Sequence, residues 1–230
     1  MIDVYHSPLD PFSRTARLLL GEYGETVNFI EERVWDRRHE FLAMNPAGTL
    51  PVMIEDDGPP ICGINAIAEY LDETRPPNPR GWKAMPQGFY ARAEVRRLVD
   101  WFDRKFNAEV TVNIVGEKIE KRFIPKDLGG GPLDMKIVHV GTNNLRYHLK
   151  YMDHLLGARN WLAGDLMTRA DLTAAAHLSC LDYLGHVPWD TALVTRDWYA
   201  RLKSRPCFRP LLGDRIAGLP PVPYYVDLDF

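Results

Sequence analysis

The side chains best suited to nucleophilic or metal chemistry in this chain are its three cysteines, Cys62, Cys180 and Cys207. They are odd in number, far apart and form no C-x-x-C pair, so neither a disulfide framework nor a zinc site is expected, and a reducing cytoplasm fits best. Cys180, inside an Ala-rich apolar stretch, has the character of a small packed residue. His148 and His154 stand six apart, outside the i, i+4 geometry of paired ligands on a helix, and are expected to be surface or internally satisfied histidines. No metal and no cofactor is therefore expected. Backbone chemistry is a better prospect. In Asn45-Pro-Ala-Gly-Thr-Leu-Pro-Val52, Pro51 falls on the first residue of a predicted strand and is a candidate for a cis bond that would turn the Leu50 N–H and C=O toward a ligand; an ordinary trans-proline loop fits the spacing equally well. Two further segments offer recognition. Trp35-Asp-Arg37-Arg38-His39 is aromatic and basic in an acidic region, either a solvated helix start or a docking patch, since Trp and Arg are enriched at interface hot spots. The terminal Tyr224-Tyr-Val-Asp227-Leu228-Asp229-Phe230 alternates acidic and apolar side chains, so packing on the helices and partner recognition are both open to it.

The elements that must hold these residues change character along the chain. The 230 residues are 46% hydrophobic and 26% charged, ordinary for a globular protein. The net charge of −3 divides into −7 over residues 1–80, which hold seven Arg, no Lys and fourteen acidic residues, and +4 over the remainder. Such a split suggests two domains, and neither is basic enough for a general nucleic-acid binder. No apolar run approaches a membrane span and the N-terminus has no signal-peptide character, so no membrane partner is expected. Periodicity predicts strands at 2–6, 27–30, 52–54 and 61–62 and helices at 12–23, 36–44 and 64–71, with a hairpin turn at Asp57-Gly58. The four prolines between Thr74 and Gly88 exclude a helix or strand running through that stretch. Beyond it the pattern is helical at 88–121, 134–157, 169–185, 195–204 and 207–215, with a glycine-rich loop over 123–132. In Met167-Thr168-Arg-Ala-Asp171-Leu172, Thr168 and Asp171 are spaced as a capping box, worth about 1 kcal/mol to the helix that follows. The expected division is 1–77, a linker 78–88, an all-helical part 89–218, and an extended tail 219–230 whose prolines leave no place for a helix.

Taken together, Ser7-Pro-Leu-Asp10-Pro-Phe-Ser13-Arg, the Asn45–Val52 loop, Leu162-Ala-Gly-Asp-Leu-Met-Thr-Arg-Ala-Asp171 and the β-α-β-α-β-β-α order resemble the glutathione S-transferase family over nearly the whole chain. The resemblance implies an α/β thioredoxin-like N-terminal domain plus an all-α C-terminal domain. It also implies a glutathione site, and here the chain departs from the pattern. Gly63 and Ile64 stand where the family places an acidic residue and Ser to hold the γ-glutamyl end, and neither side chain offers a hydrogen bond. Thr49, before Leu50 and Pro51, replaces a frequent Lys or Gln. Asp10 occupies the position where several classes carry a catalytic Ser or Cys, and an anion beside a thiol raises its pKa, the reverse of activation. Ser13 and Ser7 are the remaining hydroxyls, and no cysteine precedes Cys62. We expect no catalytic residue and no glutathione binding.

The Gly63-Ile64 loss, the glycine-rich loop and the terminal Tyr-x-Asp-Leu-Asp-Phe are similar to a cell-division branch of the family. The implied function is a non-enzymatic one at the division site, binding FtsZ, with Asp227, Leu228, Asp229, Phe230, Trp35, Arg37 and Arg38 as contact residues. A homodimer is expected from the charge split. The alternative is an active transferase using Ser13 or Ser7.

Overall fold

The computed structural model describes residues 1–228. Strand β1 (Ile2–His6) buries alternate residues, as a half-buried strand must. Helix α1 (Pro11–Tyr23) starts where the Asp10 side chain accepts the Ser13 N–H and stops at Gly24, whose φ of 77° supplies the left-handed cap. It leads into β2 (Val27–Glu31), parallel to β1. β3 (Val52–Glu55) lies antiparallel to β1, and β4 (Ile61–Cys62) antiparallel to β3, giving the sheet order β2-β1-β3-β4. Asp56 and Asp57, both at positive φ, make the turn between β3 and β4. Helix α3 (Ile64–Thr74) buries Ile64, Ile67, Ala68 and Leu71, the face its spacing predicted.

Helix α2 (His39–Met44) begins later than the expected residue 36. A single 3-10 turn, Val34–Asp36, precedes it, and Arg37 breaks the run with φ 47°. That conformation is uncommon for arginine, and hydrophobic spacing does not announce it.

The second half is helical. A continuous run begins with α4 (Phe89–Asp100), passes through π-helical turns over Trp101–Glu120 and ends in the short α5 (Lys121–Phe123). Over the middle segment the buried apolar positions Phe102, Phe106, Val110, Ile114 and Ile119 recur every four to five residues, the wider repeat of i→i+5 bonding. Helix α6 (Met135–Ala158) packs against this segment, and α7 (Arg169–Tyr183), buried along its whole length, forms the centre. α8 (Leu193–Lys203) and α9 (Arg209–Leu212) follow. The last of these is shorter than the expected 207–215, because Pro206–Phe208 forms a separate 3-10 turn. No helix among the described residues is long and apolar enough to cross a membrane.

The 78–88 stretch contains neither helix nor strand within 78–87 but is packed: Ala84 and Met85 are buried and the Trp82 indole donates to the Met167 carbonyl at 2.9 Å. The tail differs from the expected extended segment. Pro223–Val226 is a 3-10 turn, possible because proline at a first helical position gives up an N–H that has no partner there.

Arg14 joins the two halves from the buried face of α1. Its guanidinium donates to Ser179 Oγ of α7 at 2.7 Å, to the Tyr225 hydroxyl of the tail at 3.1 Å, and to Asp214 at 3.0 Å. Arg17 makes two further bonds to the same Asp214 carboxylate at 2.8 and 2.9 Å. A guanidinium buried this deeply is tolerable only with its donors filled, so α1, α7 and the tail are held in one arrangement.

Candidate functional site

A cleft of about 850 Å³ opens between the sheet-bearing half and the helices. One wall comes from the β1–α1 loop, the Val34–Arg37 turn, the loop before β3 and the start of α3. The other comes from the π-helical segment, Ile124, Leu128 and Ile216.

The Leu50–Pro51 bond is cis. Asn45 holds the loop by donating to the Thr49 carbonyl at 2.8 Å and hydroxyl at 3.2 Å, while Gly63 N–H donates to the Pro51 carbonyl. The sheet pairing of β3 begins only at Val52, so the Leu50 backbone lies outside the ladder and Leu50 lines the cleft. The loop therefore has the form expected of a peptide-backbone recognition element.

Neither Gly63 nor Ile64, at the start of α3, offers a hydrogen-bonding side chain. Gly63 has φ 85°, a conformation that favours glycine, and provides no capping side chain for α3. Ile64 is turned into the core. The start of α3 lines the cleft without a hydroxyl or carboxylate to help a ligand's charged end.

At the head of α1, the Asp10 carboxylate caps the helix. Its Oδ2 accepts the Ser13 N–H at 2.7 Å and the Ser13 hydroxyl at 2.5 Å. Ser13 is completely buried, its hydroxyl spent on Asp10 and accepting the Ser7 N–H at 3.2 Å. It cannot reach a ligand. Ser7 is half-buried and does line the cleft. Burial pushes the Asp10 carboxyl up to about 6, with the Ser13 donors pulling the other way and Glu120 across the cleft adding to the rise.

Trp35 stacks on Phe123 with centroids 6.4 Å apart and planes 10° from parallel, so the patch expected to present it instead places it as part of the cleft wall. Arg37 is exposed on the rim, and Arg38 is committed to the buried Glu32, with Nε 3.1 Å from Oε2. The cleft thus gathers Asp10, Thr49, Leu50, Gly63, Ile64, Trp35 and Arg37, while Ser13 and Pro51 lie beneath it and Arg38 outside its lining.

The tail residues belong to a different surface. Tyr225 is buried, its hydroxyl donating to the Leu211 carbonyl at 3.1 Å as well as accepting from Arg14. Asp227 and Leu228 lie exposed just beyond it, Leu228 at 38%. Asp229 and Phe230 lie outside the described residues.

Two features had no sequence signal: Glu120 in the lining, and Phe123, which stacks on the lining residue Trp35. The Cys62 thiol lines the cleft, but burial raises its pKa, and its Sγ lies 3.5 Å from the Met44 carbonyl. The other thiols are more inert, with Cys180 pushed up to about 12 by burial. His148 bridges the Trp101 indole and Glu109 at 3.1 Å each, a satisfied histidine. No cluster able to hold a metal exists among the described residues.

Residues 11–74 match the family "Glutathione S-transferase, N-terminal domain". FtsZ-localized protein A of Caulobacter vibrioides is 45% identical over 232 residues, spanning 99% of this chain and 97% of that protein. The solved structure of FzlA from C. crescentus superposes with a TM-score of 0.92 at 43% identity, covering 100% of this chain and 99% of the other. A glutathione S-transferase structure from Sinorhizobium meliloti superposes with a TM-score of 0.96 at 47% identity, covering both chains completely.

Proposed function

The chain belongs to the glutathione S-transferase family, and within it we propose a non-catalytic protein that binds FtsZ filaments and acts at the division site in the cytoplasm. The observation that carries this reading is the 45% identity with FtsZ-localized protein A across essentially the full length of both chains. The cleft supports the non-catalytic part. Where a thiolate would need a hydrogen-bond donor, the chain has a carboxylate, and the adjacent Ser13 hydroxyl is buried against that carboxylate. The start of α3 lacks the side-chain anchors for a γ-glutamyl group. Losing two charge-assisted hydrogen bonds, each about 1.5–3 kcal/mol, would weaken glutathione by roughly two to four powers of ten.

For the partner surface we propose Asp227 and Leu228, with Asp229 and Phe230 beyond them and Arg37 as a second element. A homodimer accompanies this reading. The −7 and +4 halves favour an antiparallel pairing, and Phe89 and Tyr90, 92% and 95% exposed at the start of α4, are apolar surface in search of cover. A two-fold assembly would be bivalent for a repeating filament and gain avidity without new contacts. Co-sedimentation with polymerised FtsZ tests the proposal: the protein should pellet with filaments and remain in the supernatant without them. Failure to pellet removes it.

A transferase reading keeps one foothold, because Ser7 lines the cleft. Retention on a glutathione column together with turnover of chloro-dinitrobenzene, both lost in Ser7→Ala, would establish that reading instead.

A further inference from the structure

We propose that the outer edge of β2 binds an extended segment of a partner polypeptide, which joins the four-stranded sheet as one more strand. In the order β2-β1-β3-β4 the two edges differ. β4 has two residues and offers little to pair with. β2 has five, in register with β1 from Val27 opposite Ile2 to Glu31 opposite His6, without a bulge. Two bonds show which of its backbone groups are free. The Asp56 N–H donates to the Met1 carbonyl, and the Glu32 N–H to the His6 carbonyl. Odd residues of β1 therefore turn toward β3, and even residues of β1 and β2 toward each other. Alternation then turns the N–H and C=O groups of Val27, Phe29 and Glu31 outward. No hydrogen bond from another described element reaches them. Proteins ordinarily close such an edge with Lys, Pro, a bulge or a covering element, and Val27–Glu31 has no Lys, no Pro and no bulge.

The face beside this edge has room for side chains. Val27, Phe29 and Glu31 share one face of the strand. On it lies a hollow of about 290 Å³, lined by Val27 and Phe29 of β2, Arg17 and Leu20 of α1, and Pro206 and Pro210. An added antiparallel strand exchanges both main-chain bonds with Phe29 and sets the side chains opposite Val27 and Phe29 over that hollow. Main-chain bonds then give affinity and alternate side chains give specificity, as in other cases of strand addition. Phe29, 38% exposed, is the apolar surface such a strand covers. Charge selects the occupant. The whole edge lies within residues 1–80, which carry −7. A second copy presenting its own β2 meets like charge there, whereas a neutral or basic segment does not.

The test titrates the full chain with the peptide acetyl-Lys-Thr-Val-Thr-Leu-Thr-amide, followed by calorimetry and by amide exchange in nuclear magnetic resonance. Set antiparallel, it places Lys opposite Glu31, Val opposite Phe29 and Leu opposite Val27. Submillimolar binding is expected. The Phe29 and Glu31 amides should exchange more slowly on binding, while those of Asn28 and Ile30, already turned to β1, stay unchanged. N-methylation of the peptide's Val removes an N–H aimed at β2 and should weaken binding about fivefold or more. N-methylation of the Thr that follows removes one aimed away and should not. On the protein side, Glu31→Pro removes one outward N–H and no bond to β1, as proline on an outer edge can. It should weaken the peptide about fivefold and leave the thermal midpoint near wild type. Should that variant fail to fold, the two methylated peptides still decide. No binding at millimolar concentration, or equal weakening by the two methylations, would overturn the proposal. So would protection of Phe29 and Glu31 that appears without peptide and grows with protein concentration, the mark of a second copy on the edge. None of these outcomes bears on FtsZ co-sedimentation, so the two proposals stand or fall separately.

Discussion

Two aspartates sit at the starts of two helices in this molecule, and their surroundings make one a buried anchor and the other a local cap. Asp171 is the third residue of α7. Its Oδ2 accepts from the Thr168 N–H at 2.9 Å and hydroxyl at 3.2 Å, and its Oδ1 from the Leu162 N–H at 2.9 Å and the Trp198 indole at 3.0 Å. Both oxygens are filled and the group is fully buried. Asp10 caps α1 through Oδ2, takes a further backbone hydrogen bond from Phe12, and borders a cleft that Glu120 also lines. Asp171 combines a helix cap with two long-range bonds in a fully buried site, whereas Asp10 is a local cap at the edge of a cleft. The lesson is to count acceptor sites before assigning a capping carboxylate to structure or to function.

The comparison predicts very unequal costs. Asp171→Ala strands three buried donors and a hydroxyl around α7, the most buried helix. Breaking a network of this kind costs about 3–5 kcal/mol. Thermal unfolding should fall by roughly 6–20 °C, at about 2–4 °C per kcal/mol for a chain of this size. A loss of only a degree or two would show that the carboxylate is dispensable and void the contrast. Arg14→Met comes next. It leaves Ser179 and the Tyr225 hydroxyl without their cation, although Asp214 keeps Arg17. We expect a loss of about 2–3 kcal/mol, with faster hydrogen exchange in the 222–228 segment. Unchanged exchange there would mean the tail is held without Arg14.

Asp10→Asn is expected to cost less than 1 kcal/mol at neutral pH, since asparagine is as good an N-cap as aspartate. Its value lies in the pH dependence. The Asp10 carboxyl is raised from an unfolded value of 3.8 to about 6, chiefly by burial, so the native state binds the extra proton. The stability this contributes is complete below about pH 3.8 and is lost as pH rises through about 6. Measured against wild type, Asp10→Asn should therefore gain stability between about pH 4 and pH 7. A constant difference across that window would mean that Asp10 titrates normally and that the cleft is as wet as the surface.

Local features were legible from the sequence and long-range ones were not. The Thr168–Asp171 box, the Gly24 stop and the turn around Asp57 each depend on residues within a few positions of one another, whereas spacing left the Leu50–Pro51 bond open between cis and trans. The lack of a hydrogen-bonding side chain at Gly63 and Ile64 was legible from residue type alone. Arg14 reaches partners 165 to 211 residues away, and Glu120 lines the same cleft as Asp10; no spacing rule connects such pairs. Ser13 shows a subtler limit. Its type made it a candidate hydroxyl, yet burial and the bond to Asp10 remove it, and both follow from tertiary packing. The late start of α2 and the 3-10 turn of the tail were missed for backbone reasons: a left-handed arginine at 37 and a proline used as the first residue of a turn.

The smallest expected effect on stability is also the sharpest test of the tail. Tyr225 anchors the segment, buried and bonded to Arg14 and Leu211, and the Lys203 ammonium donates to the Tyr224 carbonyl at 3.4 Å. These hydrogen bonds lie before Asp227, and the Asp227 carboxylate adds an electrostatic attraction to the Lys203 ammonium. Asp227 itself is exposed, extended at φ −74° and ψ 136°, and Leu228 follows it onto the surface. A charge reversal at such a position ordinarily changes stability by no more than about 0.5 kcal/mol, a degree or two in the thermal midpoint. If Asp227 meets a basic surface on the partner, Asp227→Lys replaces attraction by repulsion and should abolish co-sedimentation with FtsZ. Leu228→Ala should weaken pelleting without altering its salt dependence, because it removes an apolar contact and no charge. The pairing of an unchanged midpoint with lost binding is what separates a docking segment from a structural strap. An Asp227→Lys protein that unfolds several degrees early would make the tail a strap. One that folds and pellets normally would move the docking surface elsewhere, with the Arg37 rim as the next surface to reverse.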